Sequence, residues 1–374
     1  MSKKPSSVLK QLKKSGAGKL KQRTEPFWKG PCSDDPQGGI TQSLLNEFLI
    51  CPERFRIKTI LGLTPPDQFN HALEYGHMWH LCEEYHAANK SYREKLDEYK
   101  DGLLQRYPYS QEEVLKFYNA CLRQFPQYVK YWKKHKDEAK REPIAQEVSF
   151  RVPYLTGDTL TPVYLRGKWD QIDVSSGKIW LKENKTKGQI KEQLIERQLT
   201  FDLQTMLYLV AIKNYKKELG VQGLKIGGVR YNVVRRPFSG GKGDIRQGKP
   251  SKSNPDGEST KDYFDRLEQY FIEEPEYWFM RWEVGISDQD IEKFEETFLR
   301  PALNNLVGWY YKIAECMSRD QSPFGNVPGH YRMPFGIYNS LSERGFTDMD
   351  SFLETGLEVG LTKGASLFPE LEEG

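Results

Sequence analysis

The sequence predicts an α/β fold, in which a central mixed β-sheet of about four or five strands is flanked by helices behind a helical N-terminal part. Three observations predict it. Helical apolar spacing dominates up to residue 140, strand-like alternation takes over in the centre, and one long helical stretch interrupts the central strands. The chain has 374 residues, 37% of them hydrophobic and 13% aromatic, which is enough to bury a core.

Residues 1–38 are rich in Lys, Ser, Gly and Pro, with eight Lys or Arg and no acid among the first 24, and read as a disordered basic tail. Order is expected from near Ile40. Thr41 or Ser43 caps a helix that ends near Cys51-Pro52. Further helices are expected over Phe69–Asn89 and Gln111–Lys136. Ile144–Val152 alternates as a strand. Val163–Val174, the turn Ser175-Ser176-Gly177 and Lys178–Thr186 form a hairpin. A long helix follows over Gln189–Leu219, then a β-rich run over Leu224–Arg235. The Gly-, Lys- and Ser-rich loop 239–257 is too long for a plain connection. A helix over Thr260–Ile272, a strand over Trp278–Ile286 and a long helix over Ser287–Met317 complete the pattern. The last 50 residues are turn-rich, and no internal repeat is visible.

Composition excludes several classes. The mean hydropathy is -0.72, and no stretch approaches the roughly 20 apolar residues of a membrane helix. The basic N-terminus lacks the apolar region of a signal peptide. Five dispersed cysteines form no CxxC pair, so neither a zinc ribbon nor a disulfide framework is readable, and a reducing, cytoplasmic setting is expected. The net charge of +3 names no partner by itself. The basic tail and the segment 235–252, with six basic residues and one acid, are each either a phosphate-contacting arm or a solvated surface.

The hairpin carries the chemistry. Residues two apart on a strand share a face, so Ile179, Leu181, Glu183 and Lys185 lie together. An acid and a base on the face to be buried are costly unless paired, hydrated or metal-bound. Asp170 on the preceding strand can come beside Glu183, and a divalent cation would relieve the repulsion between the two carboxylates. An acid-x-Lys tripeptide alone is common in so charged a chain; its context gives it weight.

Asp170 followed by Glu183-x-Lys185 after a hairpin turn resembles the PD-(D/E)xK nuclease superfamily, and within it the RecB-like and Cas4-like exonucleases. Four further motifs over about residues 40 to 215 match in order: Thr41–Phe55 with its Cys51-Pro52, Gly76-x-x-x-His80 followed by Glu83, Arg166–Ile172, and Gln204-x-x-x-Tyr208. The resemblance implies a restriction-endonuclease-like core and a Mg2+ or Mn2+ ion held by His80, Asp170, Glu183 and the backbone carbonyl of Asn184. It also implies that Lys185 orients the attacking water or stabilises the phosphate charge. Gln204 and Tyr208, one helical turn apart, position the DNA backbone, brace Lys185 or simply pack. His77 and His86 are alternatives to His80. Glu147, at a position often acidic in the family, stays outside the core set as the holder of a second metal or of nothing. Residues 39–374 read as a single nuclease domain, with a helical part 39–140, a catalytic core 141–320 and a C-terminal cover 321–374.

The resemblance breaks at cysteine. Many relatives hold an iron–sulfur cluster with one early and three late cysteines; here Cys51 is in place, but Gly329–Phe335 has none, so no cluster is expected. A zinc site from Cys51, Cys316 and His330 is the weaker alternative. The implied function is a metal-dependent deoxyribonuclease, an exonuclease of recombination, repair or phage DNA metabolism. DNA is the partner, and a recombination or replication protein is a further candidate. The alternatives are a non-catalytic DNA-binding or assembly subunit and, more weakly, a sequence-specific endonuclease. The segment 235–252 would clamp single-stranded DNA, with Tyr231 or Phe238 stacking on bases.

Overall fold

Five strands form one mixed sheet in the order β2-β3-β4-β5-β6. The computed structural model describes residues 26–135, 140–157, 161–190, 199–200, 202–240, 244–251, 255–318, 349–364, 366–368 and 371. The strands are β2 Glu142–Tyr154, β3 Val163–Ser175, β4 Lys178–Lys187, β5 Lys225–Arg235 and β6 Phe279–Gly285. Neighbours run antiparallel except β4 and β5, which are parallel and joined through helix α6, Leu203–Tyr215. The α/β class and the flanked mixed sheet match the sequence expectation.

The helices preceding the sheet are α1 Gln42–Ile50, α2 Pro52–Phe55, α3 His71–Ala87, α4 Tyr92–Arg106 and α5 Gln111–Lys133. Thr41 caps α1 by accepting from the Leu44 N–H at 3.3 Å. Beyond β5 lie α7 Thr260–Glu273, the single turn α8 Pro275–Trp278, α9 Asp288–Phe294, α10 Arg300–Ser318 and α11 Met349–Glu358. One apolar cluster gathers Leu45, Phe48, Met206, Leu207, Val229 and Leu303; a second gathers Met78, Trp79, Phe117, Phe125, Leu267 and Phe279. Among the described residues, no helix is long and apolar enough to cross a membrane.

Several expectations need correction. The tail was expected disordered to residue 38, but order begins by residue 26. Trp28 is fully buried against Phe55 and Tyr310, its indole N–H donating to the Gly39 carbonyl at 2.8 Å. One tryptophan is enough to anchor a segment whose composition looked unstructured; residues 1–25 lie outside the described residues. Helix α4 was not foreseen, because its apolar stripe is little more than the buried Leu96 and Leu103. Of the helix expected over Gln189–Leu219, the described part is α6 from Leu203 to Tyr215, capped by Asp202, which accepts from Thr205 N–H at 3.2 Å; residues 191–198 and 201 lie outside the described residues. The helix over Ser287–Met317 is broken by a π-helical turn at Glu295–Leu299, just before Pro301, which has no N–H to continue the α-ladder.

The C-terminal segment folds back. A short strand β7, Thr362–Lys363, pairs with β1, Leu63–Thr64. Of the C-terminal cover, residues 319–348 lie outside the described residues.

Candidate active site

The β3–β4 ladder pairs from Ser175↔Lys178 to Gln171↔Lys182. Asp170 and Glu183 come next on the two strands, where that ladder has ended. The Asn184 N–H donates to Asp170 Oδ2 at 2.7 Å, so a side chain takes the place of a strand partner. Asp170 and Glu183 are both buried. Helix α3 passes close to β4 at Gly76, where even a Cβ would meet Thr186 Oγ1 at an ordinary contact distance of 3.5 Å. One turn further along α3, His80 Nδ1 lies 3.7 Å from Asp170 Oδ1.

Lys185 and Gln204 complete a closed set of bonds. Lys185 Nζ donates to Glu183 Oε1 at 2.8 Å and to Gln204 Oε1 at 2.6 Å, and Gln204 Nε2 donates to the same Glu183 oxygen at 2.7 Å. Gln204 thus braces the lysine. Tyr208, one turn later on α6, packs edge-on against Phe150 at 5.3 Å. Gly167 makes that contact fit, since a Cβ there would lie 2.7 Å from both Phe150 Cζ and Tyr208 Cε1. His80, Asp170, Glu183, Asn184, Lys185, Gln204 and Tyr208 all line one cavity of about 1310 Å3, floored by the sheet and walled by α1 and α3. This exceeds the roughly 300–1,000 Å3 of a small-molecule pocket.

Glu147 belongs with them. Ligand atoms of His80, Glu147 and Asp170 all lie within 4.8 Å of one another, a group among the described residues that could hold a metal ion. Glu147 adopts φ +50°, a left-handed conformation rare for a strand residue, and its carboxylate meets Lys168 Nζ at 3.0 Å. Sequence reasoning left it out of the core set, because strand alternation alone does not say which exposed-looking acid is turned inward. The alternative histidines are otherwise engaged: His77 Nδ1 lies 3.1 Å from Tyr99 OH, and His86 sits edge-on to Phe125.

Burial unsettles the acids in their charged form. Desolvation raises Asp170 to about 6, Glu183 to about 7 and Glu147 to about 8, with Asp170 repelling both glutamates and lysines only partly compensating. Desolvation also lowers the His80 pKa, keeping its imidazole neutral. Burial works against the Lys185 ammonium, but Glu183 more than offsets it and holds the lysine above its usual range.

Comparison with protein-family models matches residues 40–292 to the PD-(D/E)XK nuclease superfamily. The chain belongs to that superfamily. No curated protein matches it. PD-(D/E)XK proteins are usually metal-dependent nucleases, and the fold implies DNA as substrate. The residues present fit a divalent cation. Glu147 and Asp170 beside a neutral imidazole are an oxygen-rich donor set, and Glu183, which falls outside that three-residue group, keeps Oε2 buried without a hydrogen-bond partner.

Two expectations fail for this PD-(D/E)XK chain. Tyr231 cannot stack on bases: it is fully buried, its hydroxyl 2.5 Å from Thr205 Oγ1 and donating to the Leu199 carbonyl at 2.9 Å. Phe238 is sandwiched between Phe117, Tyr263 and the Lys116 ammonium, so its ring faces are taken. The Cys51 sulfur caps α2, accepting from Arg54 N–H at 3.5 Å, while the Cys316 side chain and His330 lie outside the described residues.

Proposed function

We propose that the chain is a metal-dependent DNA exonuclease of the RecB-like and Cas4-like branch, acting in the cytoplasm (the host's, if viral) in recombination, repair or phage DNA metabolism. The observation that carries it is the convergence of His80, Asp170, Glu183, Lys185 and Gln204, from helix, hairpin and crossover helix, on one large cavity. In this reading His80, Asp170, Glu183 and the Asn184 carbonyl hold Mg2+ or Mn2+, with Glu147 added to the set by its place beside His80 and Asp170. A divalent ion bound there polarises the scissile phosphate and makes the attacking water more acidic.

The protein's own groups do the rest. The Asn184 N–H fixes Asp170 through Oδ2 and leaves Oδ1 facing His80. The neutral imidazole offers a lone pair rather than a competing charge. Lys185, cationic and held in place by Gln204, donates to the attacking water or to a phosphate oxygen as negative charge builds. Tyr208 stiffens the helix that carries Gln204. The nuclease domain extends back to residue 26, and a recombination or replication protein is the partner class.

The test is cleavage of linear DNA with Mg2+ or Mn2+. Lys185→Ala should lower the rate by ~100-fold or more while the chain stays folded. Equal cleavage by wild type and variant would reject the assignment of the lysine; no cleavage by the wild type with either ion would reject the nuclease.

A further inference from the structure

Arg236, the first residue after β5, is a buried cation that the described residues do not neutralise. It is only 9% exposed, its Nε is buried without a hydrogen-bond partner, and among the described residues no carboxylate pairs with it. A desolvated guanidinium with no counter-ion is costly unless an anion arrives from outside. Burial accordingly pulls its pKa down, with only Tyr75 opposing.

Its surroundings are basic and open at the rim. Arg236 and Lys187 are joined by a backbone bond, Arg236 N–H to Lys187 O at 2.8 Å, where the parallel strands β4 and β5 end side by side at Lys187↔Arg235. The carboxyl ends of parallel strands are where α/β sheets leave a crevice for ligands. Gly188 lets the guanidinium in: a Cβ there would lie 2.9 Å from Arg236 Nη2 and 2.7 Å from Ser239 Cβ. Lys187, Gln189 and His71 are exposed around it, and His71 feels Arg236 and Lys116 as repelling charges, with Glu113 the opposing acid. The Lys187 ammonium is pushed down by burial and by Lys185, with Asp202 opposing.

We propose that Arg236 and Lys187, with His71 at the rim, form a phosphate-binding subsite for a polynucleotide strand at the carboxyl end of β4 and β5. The subsite rests on the nuclease reading for its substrate but not for its chemistry. Lys187 follows Lys185 by two residues, about 6.5 Å of strand rise, so one extended strand can place neighbouring phosphates at the active centre and here. The shared chemistry is a phosphate oxyanion, either an internal phosphodiester or a terminal phosphate.

The experiment is fluorescence anisotropy with a single-stranded oligonucleotide, carrying a 5′-phosphate or a 5′-hydroxyl, across a salt series with Ca2+ as the only divalent ion. Arg236→Gln should weaken binding roughly tenfold and lower the slope of log Kd against log salt by about 0.7, one phosphate contact on a single strand. Loss with both oligonucleotides assigns an internal phosphodiester; loss with the 5′-phosphorylated one alone assigns a terminal phosphate. Because Arg236→Gln disturbs a buried position, the rim variant Lys187→Ala/His71→Ala is measured beside it and should move Kd and slope in the same direction. Unchanged Kd and slope in the rim variant, or in a folded Arg236→Gln, would overturn the subsite. A wild type that binds through Arg236 but cuts nothing would reject the nuclease and keep the subsite; one that cuts normally with Arg236 silent would do the reverse; one that binds no oligonucleotide rejects both.

Discussion

Asp170, Glu183 and Glu147 are easier to bury protonated than charged, and this makes the metal-free protein pH-sensitive. Their ordinary values of 3.8, 4.5 and 4.5 rise to about 6, 7 and 8. Over that interval the folded chain keeps protons that the unfolded chain has released. The stability these groups contribute is therefore full below about pH 4 and is lost as pH climbs to about 8. A bound cation needs the same carboxylates deprotonated, so it reverses the trend. In EDTA the melting temperature should fall between pH 6 and pH 8, and the rise produced by Mn2+ should be larger at pH 8. Glu147→Gln should flatten both effects and weaken Mn2+ binding by roughly tenfold or more. A Mn2+ shift equal at the two pH values, in wild type and variant alike, would remove Glu147 from the ion's surroundings.

At the scale of elements, the site depends on how closely β3 meets α6. Gly167 is the point of closest approach, with Phe150 and Tyr208 both 2.7 Å from where a Cβ would stand. Gly167→Ala should cost about 1–3 kcal/mol by overpacking and, by displacing α6, loosen the Gln204 bracket on Lys185. The melting temperature and the cleavage rate should both drop; an unaltered rate would mean that α6 is not held through this contact. The same elements show how much was legible beforehand. The hairpin was readable because Ile179 and Leu181 mark the buried face before Glu183 and Lys185 arrive on it. Gln204 was readable as a neighbour of the lysine only through motif order, since nothing in a thirteen-residue helix says what its first turn faces. Glu147 was not resolved, because its inward turn rests on a backbone angle that side-chain pattern does not encode. Helix α4 was invisible for the opposite reason: its two buried leucines are too sparse to register as a face.

Across the whole molecule, residues over 300 positions apart close one end of the cavity. Gln37 Nε2 donates to Ser366 Oγ at 3.1 Å and the Leu367 N–H donates to Gln37 Oε1 at 3.0 Å, while the Gly364 N–H donates to the Gly62 carbonyl at 2.8 Å. Arg166, on the strand that carries Asp170, lies 4.3 Å beneath the Phe368 ring and donates to the Gly38 carbonyl at 3.0 Å. The N-terminal segment, the C-terminal segment and β3 therefore form one unit, and Phe27, Gly364, Leu367, Phe368 and Leu371 line the same cavity as the acids. Buried Leu361 and Phe368 each contribute roughly 1.5–3 kcal/mol, so the C-terminal segment is held by more than its short strand. Removing residues 361–374 should lower the melting temperature by several degrees, at roughly 2–4 °C per kcal/mol for a large domain. Amide exchange should rise first in residues 27–40, where Gln37 loses its bonds to Ser366 and Leu367, and next at the start of β3 around Arg166. If exchange in residues 27–40 were unchanged by the truncation, the two chain ends would be independent of each other, and the cavity wall they share would have to be held by α1 alone.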